Sequence, residues 1–184
     1  MYIRIEQIAD KGLALEFEEP IESFAVLTAM VDNGQCEFLA PIKTALKVHR
    51  FGDMVKVEGD ISTSARLTCG RCLRIFDSRL KSRVALTYKS GVPEDEKMGS
   101  KQEEIELKEE DLGLIYYQGE EINLQNEIQE QVVMAFPLRA LCRPDCKGLC
   151  SECGSDLNDG DCSCVKISSD GRFDALKNLT LDKK

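Results

Sequence analysis

The stretch MVKVEGDISTSARLTCGRCLRIFDSRLKSRVALTYK, residues 54–89, holds two alternating runs around a Cys-Gly-Arg-Cys. In 54–69, Val55, Val57, Ile61, Ala65 and Leu67 share one parity, and Lys56, Glu58 and Arg66 share the other. In 74–89, Phe76, Leu80, Val84, Leu86 and Tyr88 oppose Asp77, Arg79, Lys81 and Arg83. Period two places alternate side chains on opposite faces of a strand. Both runs therefore read as half-buried strands, and Cys69-Gly-Arg-Cys72 as the tip of the hairpin that joins them.

The same alternation extends upstream. In 37–49, Phe38, Ala40, Ile42, Leu46 and Val48 oppose Lys43, Lys47 and His49, and Phe51-Gly52-Asp53 turns the chain. Three such runs predict an antiparallel meander. Residues 1–19 read as one or two strands with a turn near Asp10-Lys11-Gly12; 21–31 is ambiguous between a short helix and a buried strand; Asp32-Asn33-Gly34 signals a turn.

Downstream, 90–104 is polar with Gly and Pro and reads as a loop, and 105–117 holds one or two short strands around Ile105-Glu106-Leu107 and Leu114-Ile115-Tyr116. A helix is predicted over about 123–136. Asn123 caps it, Leu124, Ile128, Val132 and Ala135 form its apolar stripe, Val133 and Phe136 widen that stripe, and Pro137 ends it. This helix should cover the apolar face of the sheet.

The fold class is thus α+β: an antiparallel sheet or partial barrel covered by one main helix (residues 1–137), followed by a cysteine-rich, zinc-binding C-terminal tail (138–184). The chain has 184 residues, and no apolar run approaches membrane-spanning length. The N-terminus alternates like a strand and shows no secretory signal, so the chain is expected in the cytoplasm with its thiols reduced.

Six of the nine cysteines lie in CRPDCKGLCSECGSDLNDGDCSC, residues 142–164. A reducing compartment and an odd count argue against a disulfide framework and for metal ligation. Cys150-Ser-Glu-Cys153-Gly154 has the form of a zinc knuckle, in which two intervening residues let both sulfurs reach one metal from a tight turn. Leu157-Asn158-Asp159-Gly160 turns the chain back toward Cys162 and Cys164. A polar segment this short cannot bury enough apolar surface to fold alone, and structural Zn2+ would replace the missing core. The first expected site is therefore Cys150, Cys153, Cys162 and Cys164. A second, or a set of alternates, is Cys69, Cys72, Cys142 and Cys146, which would pin the tail to the sheet. An iron–sulfur cluster also takes four thiolates, but tight C-x2-C-G and C-x-C pairs suit a compact single-metal site better. Cys36 reads as a small buried apolar residue.

Cys-Gly-Arg-Cys also invites a thiol-oxidoreductase reading. Such enzymes place the motif at a helix N-terminus, whereas strand-like flanks bound it here. No nucleophile–base pair, phosphate loop or paired-acid motif stands out, so no enzymatic role is expected. His49 reads as a solvent-facing strand residue, and Tyr116 and Tyr117 as core or edge residues.

Net charge is −9, yet residues 41–89 carry 11 basic and 4 acidic groups. Lys43, Lys47, Lys56, Arg66, Arg79, Lys81 and Arg83 all take the parity opposite the apolar residues, and Arg71 and Arg74 add charge at the hairpin tip. An exposed sheet face is ordinarily charged. A face with few acids, chiefly Glu58, Asp60 and Asp77, would also suit phosphate, and these nine cations are the candidate nucleic-acid-binding set. The acidic segment 90–131 could shield that surface.

The Cys69-Gly-Arg-Cys72-Leu73 hairpin, the LxxxIxxxxxxxxP helix, the CKGLCxxCGxxLNxGxCxC tail from Cys146 to Cys164 and a closing GRFDALKNL together resemble the YceD family of bacterial and plastid proteins, over residues from about 55 to 179. The resemblance implies a non-enzymatic role in accumulation of large-subunit (23S) ribosomal RNA, through its synthesis, processing or stability. It also implies ribosomal RNA or a pre-ribosomal particle as partner, met directly or through a ribosomal protein. The alternatives are a zinc-stabilised adaptor for a ribosomal protein or RNA-processing enzyme, and a thiol oxidoreductase. No membrane or small-molecule partner is expected.

Overall fold

The computed structural model describes residues 1–9, 11–91 and 113–164. Most of the loop expected at 90–104, the strand expected around Ile105-Glu106-Leu107 and the closing GRFDALKNL lie outside the described residues. Among the described residues, eight strands and two α-helices follow in order: β1 (Tyr2–Arg4), β2 (Leu13–Glu19), α1 (Ala25–Asp32), β3 (Glu37–Phe38), β4 (Ile42–Phe51), β5 (Met54–Thr68), β6 (Ile75–Ser90), β7 (Leu114–Tyr117), β8 (Glu121–Asn123) and α2 (Gln125–Met134).

The hairpin read from 54–89 is the spine of the molecule. β5 and β6 pair antiparallel from Met54↔Lys89 to Thr68↔Ile75, with Cys69 to Arg74 forming the tip. β4 pairs β5 on its other side and β2 pairs β4, both antiparallel. The sheet runs β2-β4-β5-β6-β7 and, among the described residues, is open rather than closed into a barrel. Residues 37–49 are not one strand. The chain breaks at Leu39–Pro41, where Pro41 has no N–H to give the ladder, and β3 pairs separately with β5 through Glu37↔Arg66 and Phe38↔Ala65. β7 departs from the meander by running parallel to β6, with Thr87↔Leu114 and Ser90↔Tyr117. β1 pairs with β8, joining the chain start to the lead-in of α2.

The alternation resolves into two faces as read. Ile42, Leu46, Val48, Val55, Val57 and Ile61 are buried on one side, with Ala65, Leu67, Leu80, Val84 and Tyr88. At the centre of this face, Gly59 sits opposite Leu46, and a Cβ there would lie 2.0 Å from the Ala45 carbonyl oxygen. Only glycine admits so close an approach of the two strands.

α2 covers this face, and α1 lies beside it. Asn123 works as a cap: its Oδ1 accepts from the Gln125 N–H at 3.0 Å. Leu124, Ile128 and Val132 are buried against the sheet, while Val133 is exposed and does not belong to the stripe. Phe136 packs edge-on to Phe38, with ring centroids 5.9 Å apart. Gln129 and Gln131 tie α2 to its neighbours, accepting from the Val26 N–H and the Ser82 hydroxyl, each at 2.9 Å. The ambiguous 21–31 segment is a short turn of 3-10 helix followed by α1. No helix among the described residues is long and apolar enough to cross a membrane.

Candidate metal centre

Two groups of four cysteines converge, each with all its sulfurs within 4.8 Å of one another. One is Cys69, Cys72, Cys142 and Cys146; the other is Cys150, Cys153, Cys162 and Cys164. The long-range group joins the β5–β6 tip to the tail, with Cys69 Sγ 3.8 Å from Cys146 Sγ and Cys72 Sγ 3.6 Å from Cys142 Sγ. Such distances are far beyond a disulfide. They match the edge of a tetrahedron of sulfurs drawn around one metal at about 2.3 Å, which is about 3.8 Å. An iron–sulfur cluster spreads its four thiolates over two or more irons, so its four sulfurs do not all lie this close together.

The two C-x2-C turns are built alike. In the first, the Leu73 N–H donates to the Cys69 carbonyl at 3.0 Å and the Cys69 N–H to the Arg74 carbonyl at 2.8 Å. In the second, the Gly154 N–H donates to the Cys150 carbonyl at 2.9 Å and the Cys150 N–H to the Ser155 carbonyl at 2.8 Å. The residue after the second cysteine is left-handed in both, at φ 73° for Gly154 and 59° for Leu73. Glycine adopts that conformation freely; Leu73 is forced into it at a cost of roughly 1–2 kcal/mol. Nothing in the alternating pattern signals that strain. The Cys-Gly-Arg-Cys motif thus sits on a hairpin turn, not at a helix N-terminus, with both sulfurs buried among other thiols.

The groups differ in enclosure. Cys69, Cys72 and Cys146 are buried beneath Phe76, Leu141 and Leu149. In the other group only Cys150 is buried, and Cys153 is exposed. Each mixes thiols of opposite tendency. The Cys72 backbone N–H holds Cys69 down to about 6, and burial pushes Cys142 up to about 12. The Ser155 hydroxyl, 2.9 Å away, holds Cys153 down to about 6, and Cys153 in turn pushes Cys164 up to about 12. Four crowded sulfurs cannot all ionise without a compensating positive charge, and a divalent cation would supply one.

Tail and sheet are stitched by groups that the sequence reading did not single out for this task. The Gly70 N–H donates to the Ala140 carbonyl at 2.8 Å, and the Leu149 N–H to the Arg71 carbonyl at 3.1 Å. Asn158 joins the two sulfur groups: its Oδ1 accepts from the Lys147 N–H at 2.9 Å and its Nδ2 reaches Cys146 Sγ at 3.4 Å. The Leu157-Asn158-Asp159-Gly160 turn signal marked the place but not this role. Arg71 donates to the Cys146 carbonyl at 2.8 Å, and Arg74 pairs with Asp156 at 2.7 Å and with Asp159. These two cations therefore tie the tip to the tail while remaining exposed.

The other seven cations do share the solvent face, since the register sets Lys43, Ser62 and Lys81 in one row and Asp60 and Arg83 in another. The face is less one-sided than composition suggested. β2 contributes Glu16 and Glu18, and β3 contributes Glu37. Arg66 is held by Glu37 and Asp77, both at 3.0 Å; Lys56 by Glu58 at 2.9 Å; Lys43 by Glu18 at 3.5 Å; and Arg83 by Asp60 at 3.7 Å. Among the described residues, Lys47, Arg79 and Lys81 have no such pair. His49 is half-buried and stacked on Phe51, Tyr116 and Tyr117 are half-buried on β7, and Cys36 is buried beside Leu67 and Leu80.

An uncharacterized protein of Mycobacterium tuberculosis is 32% identical over 112 residues, covering 61% of this chain and 49% of that protein. The chloroplastic large ribosomal RNA subunit accumulation protein YCED homolog 1 of Arabidopsis thaliana is 24% identical over 155 residues, covering 76% of this chain and 48% of that one. Its Zea mays counterpart is 40% identical over 45 residues, 24% of this chain and 15% of that one. The chain spans about half the length of the first curated relatives it matches. No solved structure matches it. The family described as large ribosomal RNA subunit accumulation protein YceD matches residues 57–180, from Val57 in β5 through both cysteine groups, and the chain belongs to that family.

Proposed function

We propose that this chain is a non-enzymatic, cytoplasmic ribosome-biogenesis factor that supports the synthesis, processing or stability of large-subunit ribosomal RNA. In this reading it meets the RNA, or a pre-ribosomal particle, through cations on the solvent face of its sheet, and two structural zinc ions organise its tail. The observation that carries the reading is the pairing of two four-thiol groups with a family match that spans both of them. The donor set fits zinc: four sulfurs within 4.8 Å of one another in each group, with separations near a tetrahedral edge and enclosure in the tip group. Cys69, Cys72, Cys142 and Cys146 would hold one ion, and Cys150, Cys153, Cys162 and Cys164 the other. Zinc is redox-inert, so it would fix shape and leave the chemistry to the partners.

A second reading, an adaptor for a ribosomal protein or RNA-processing enzyme, draws on Leu73, Ile75 and Leu138, large apolar residues left exposed around the junction of tip and tail. Crosslinking in cells that express the chain, with recovery of both RNA and protein, separates the two. Large-subunit ribosomal RNA crosslinked directly, together with a fall in its level on depletion of the chain, is the expected result. Crosslinks to protein alone would favour the adaptor. Absence of ribosomal RNA from both the crosslinks and the depletion phenotype would overturn the proposal.

A further inference from the structure

Three shallow depressions mark the solvent face of the sheet, and their charge differs. One is lined by Glu16, Glu18 and Asp60 beside Lys43. A second is lined by Glu16, Glu58 and Asp60 beside Lys47 and Arg83. The third, about 350 Å³ in volume, is lined by Lys43, Ser62, Ser64, Arg79 and Lys81, with Pro41 at its rim and no acidic residue. It lies where β3 and β4 separate, so the break at Leu39–Pro41 opens the surface there.

We infer that this third depression is a phosphate-binding site for an RNA backbone, and that it, rather than the whole cationic face, makes the RNA contact; the inference rests on the RNA reading above. Arg79 and Lys81 are two residues apart on β6 and point the same way, which sets their Cα atoms about 6.8 Å apart. That separation is comparable to the spacing of successive phosphates along one strand. Lys43 shares the row of Lys81 across β5, with Ser62 between them, and Ser64 stands opposite Arg79. The serine hydroxyls can donate to the same phosphate oxygens that the cations attract. Arg79 and Lys81 have no acidic partner among the described residues, so no ion pair must break before phosphate binds. Lys43 has only its 3.5 Å contact with exposed Glu18. Arg66 would first have to leave two carboxylates, and Lys56 one.

The test uses the full zinc-loaded chain and a fluorescent oligouridylate, measured across a salt series. The triple variant K43Q/R79Q/K81Q is compared with K56Q/R66Q/R83Q, which removes the same charge from the paired cations. The first should bind at least about tenfold more weakly, with the salt slope reduced by about two to three, since each phosphate contact contributes about one. The second should bind within about threefold of the parent. Equal losses in both variants would overturn the site, leaving only a diffuse field. An unchanged first variant would overturn it as well, with RNA binding itself intact. If the parent chain fails to bind, the direct-RNA reading falls, and the site with it. Circular dichroism and zinc content of both variants guard against misfolding, and R79Q/K81Q alone, at exposed positions, repeats the test with fewer changes.

Discussion

Replacing Cys69 or Cys153 by serine should each remove one zinc ion and release one half of the tail. From 138 to 164 the buried residues are Cys146, Gly148 and Cys150, with no buried aliphatic side chain. The tail therefore has no apolar core of its own. Ordering residues 138–149 costs about 12 kcal/mol at about 1 kcal/mol per residue, and ordering 150–164 about 15 on the same scale. One structural zinc supplies about 10–16 kcal/mol, so each ion balances the segment it holds. The links between the halves are small: the Leu149↔Asp156 bridge and the Asn158 contacts, at about 0.5–1.5 kcal/mol per hydrogen bond. Native mass spectrometry should count two zinc ions in the parent and one in each variant. Hydrogen exchange should show 138–149 freed in Cys69→Ser with 150–164 still protected, and the reverse in Cys153→Ser. β5 and β6 should stay protected in both, because the ladder below Thr68↔Ile75 does not use the metal. Loss of both ions from either single substitution would refute the independence of the sites. A metal-free parent with both segments protected would refute the metal reading altogether.

Two further predictions concern the sheet and its helix. Gly59→Ala should lower stability by about 1–3 kcal/mol, read as a lower midpoint in urea with both zinc ions retained, because the new methyl meets Ala45 O at 2.0 Å and Leu46 Cα at 2.9 Å; a midpoint equal to that of the parent would show that β4 yields freely. At the seam of α2 and β6, Glu127 and Tyr88 face one another, each with a buried oxygen lacking a hydrogen-bond partner among the described residues, and burial raises the Glu127 carboxyl above its ordinary range. A carboxyl raised on folding gives stability that is complete below the unfolded value, about 4.3, and lost as pH rises through the folded value. Glu127→Gln should therefore raise the melting temperature at pH 7, with the advantage shrinking toward pH 4; an advantage that grows toward acid would contradict the assignment.

What the sequence made legible follows from how local each signal is. Alternation is a property of one strand, so the faces of β4, β5 and β6 and the solvent parity of seven cations could be read without knowing which strands pair. The helix stripe Leu124, Ile128, Val132 was legible for the same reason, and exposed Val133 shows the limit: its position beside the stripe does not say how wide the covered groove is. Cysteine spacing in 150–164 closes a short loop and was equally local. Pairing is a different kind of information. The parallel β7, the β1–β8 ladder and the break at Pro41 depend on strands that find one another across the chain. Charge compensation inherits that dependence. Glu18 and Glu37 lie outside the basic segment in sequence, yet register brings them against Lys43 and Arg66. Arg71 and Arg74 looked free at a hairpin tip until the distant tail delivered Cys146 and Asp156 to them. A cationic face counted from composition is therefore an upper bound, and a cation's availability depends on the acids beside it on its own and neighbouring strands. Arg79 and Lys81 keep their charge open because Ser64 and Ser62, not carboxylates, occupy the facing positions on β5.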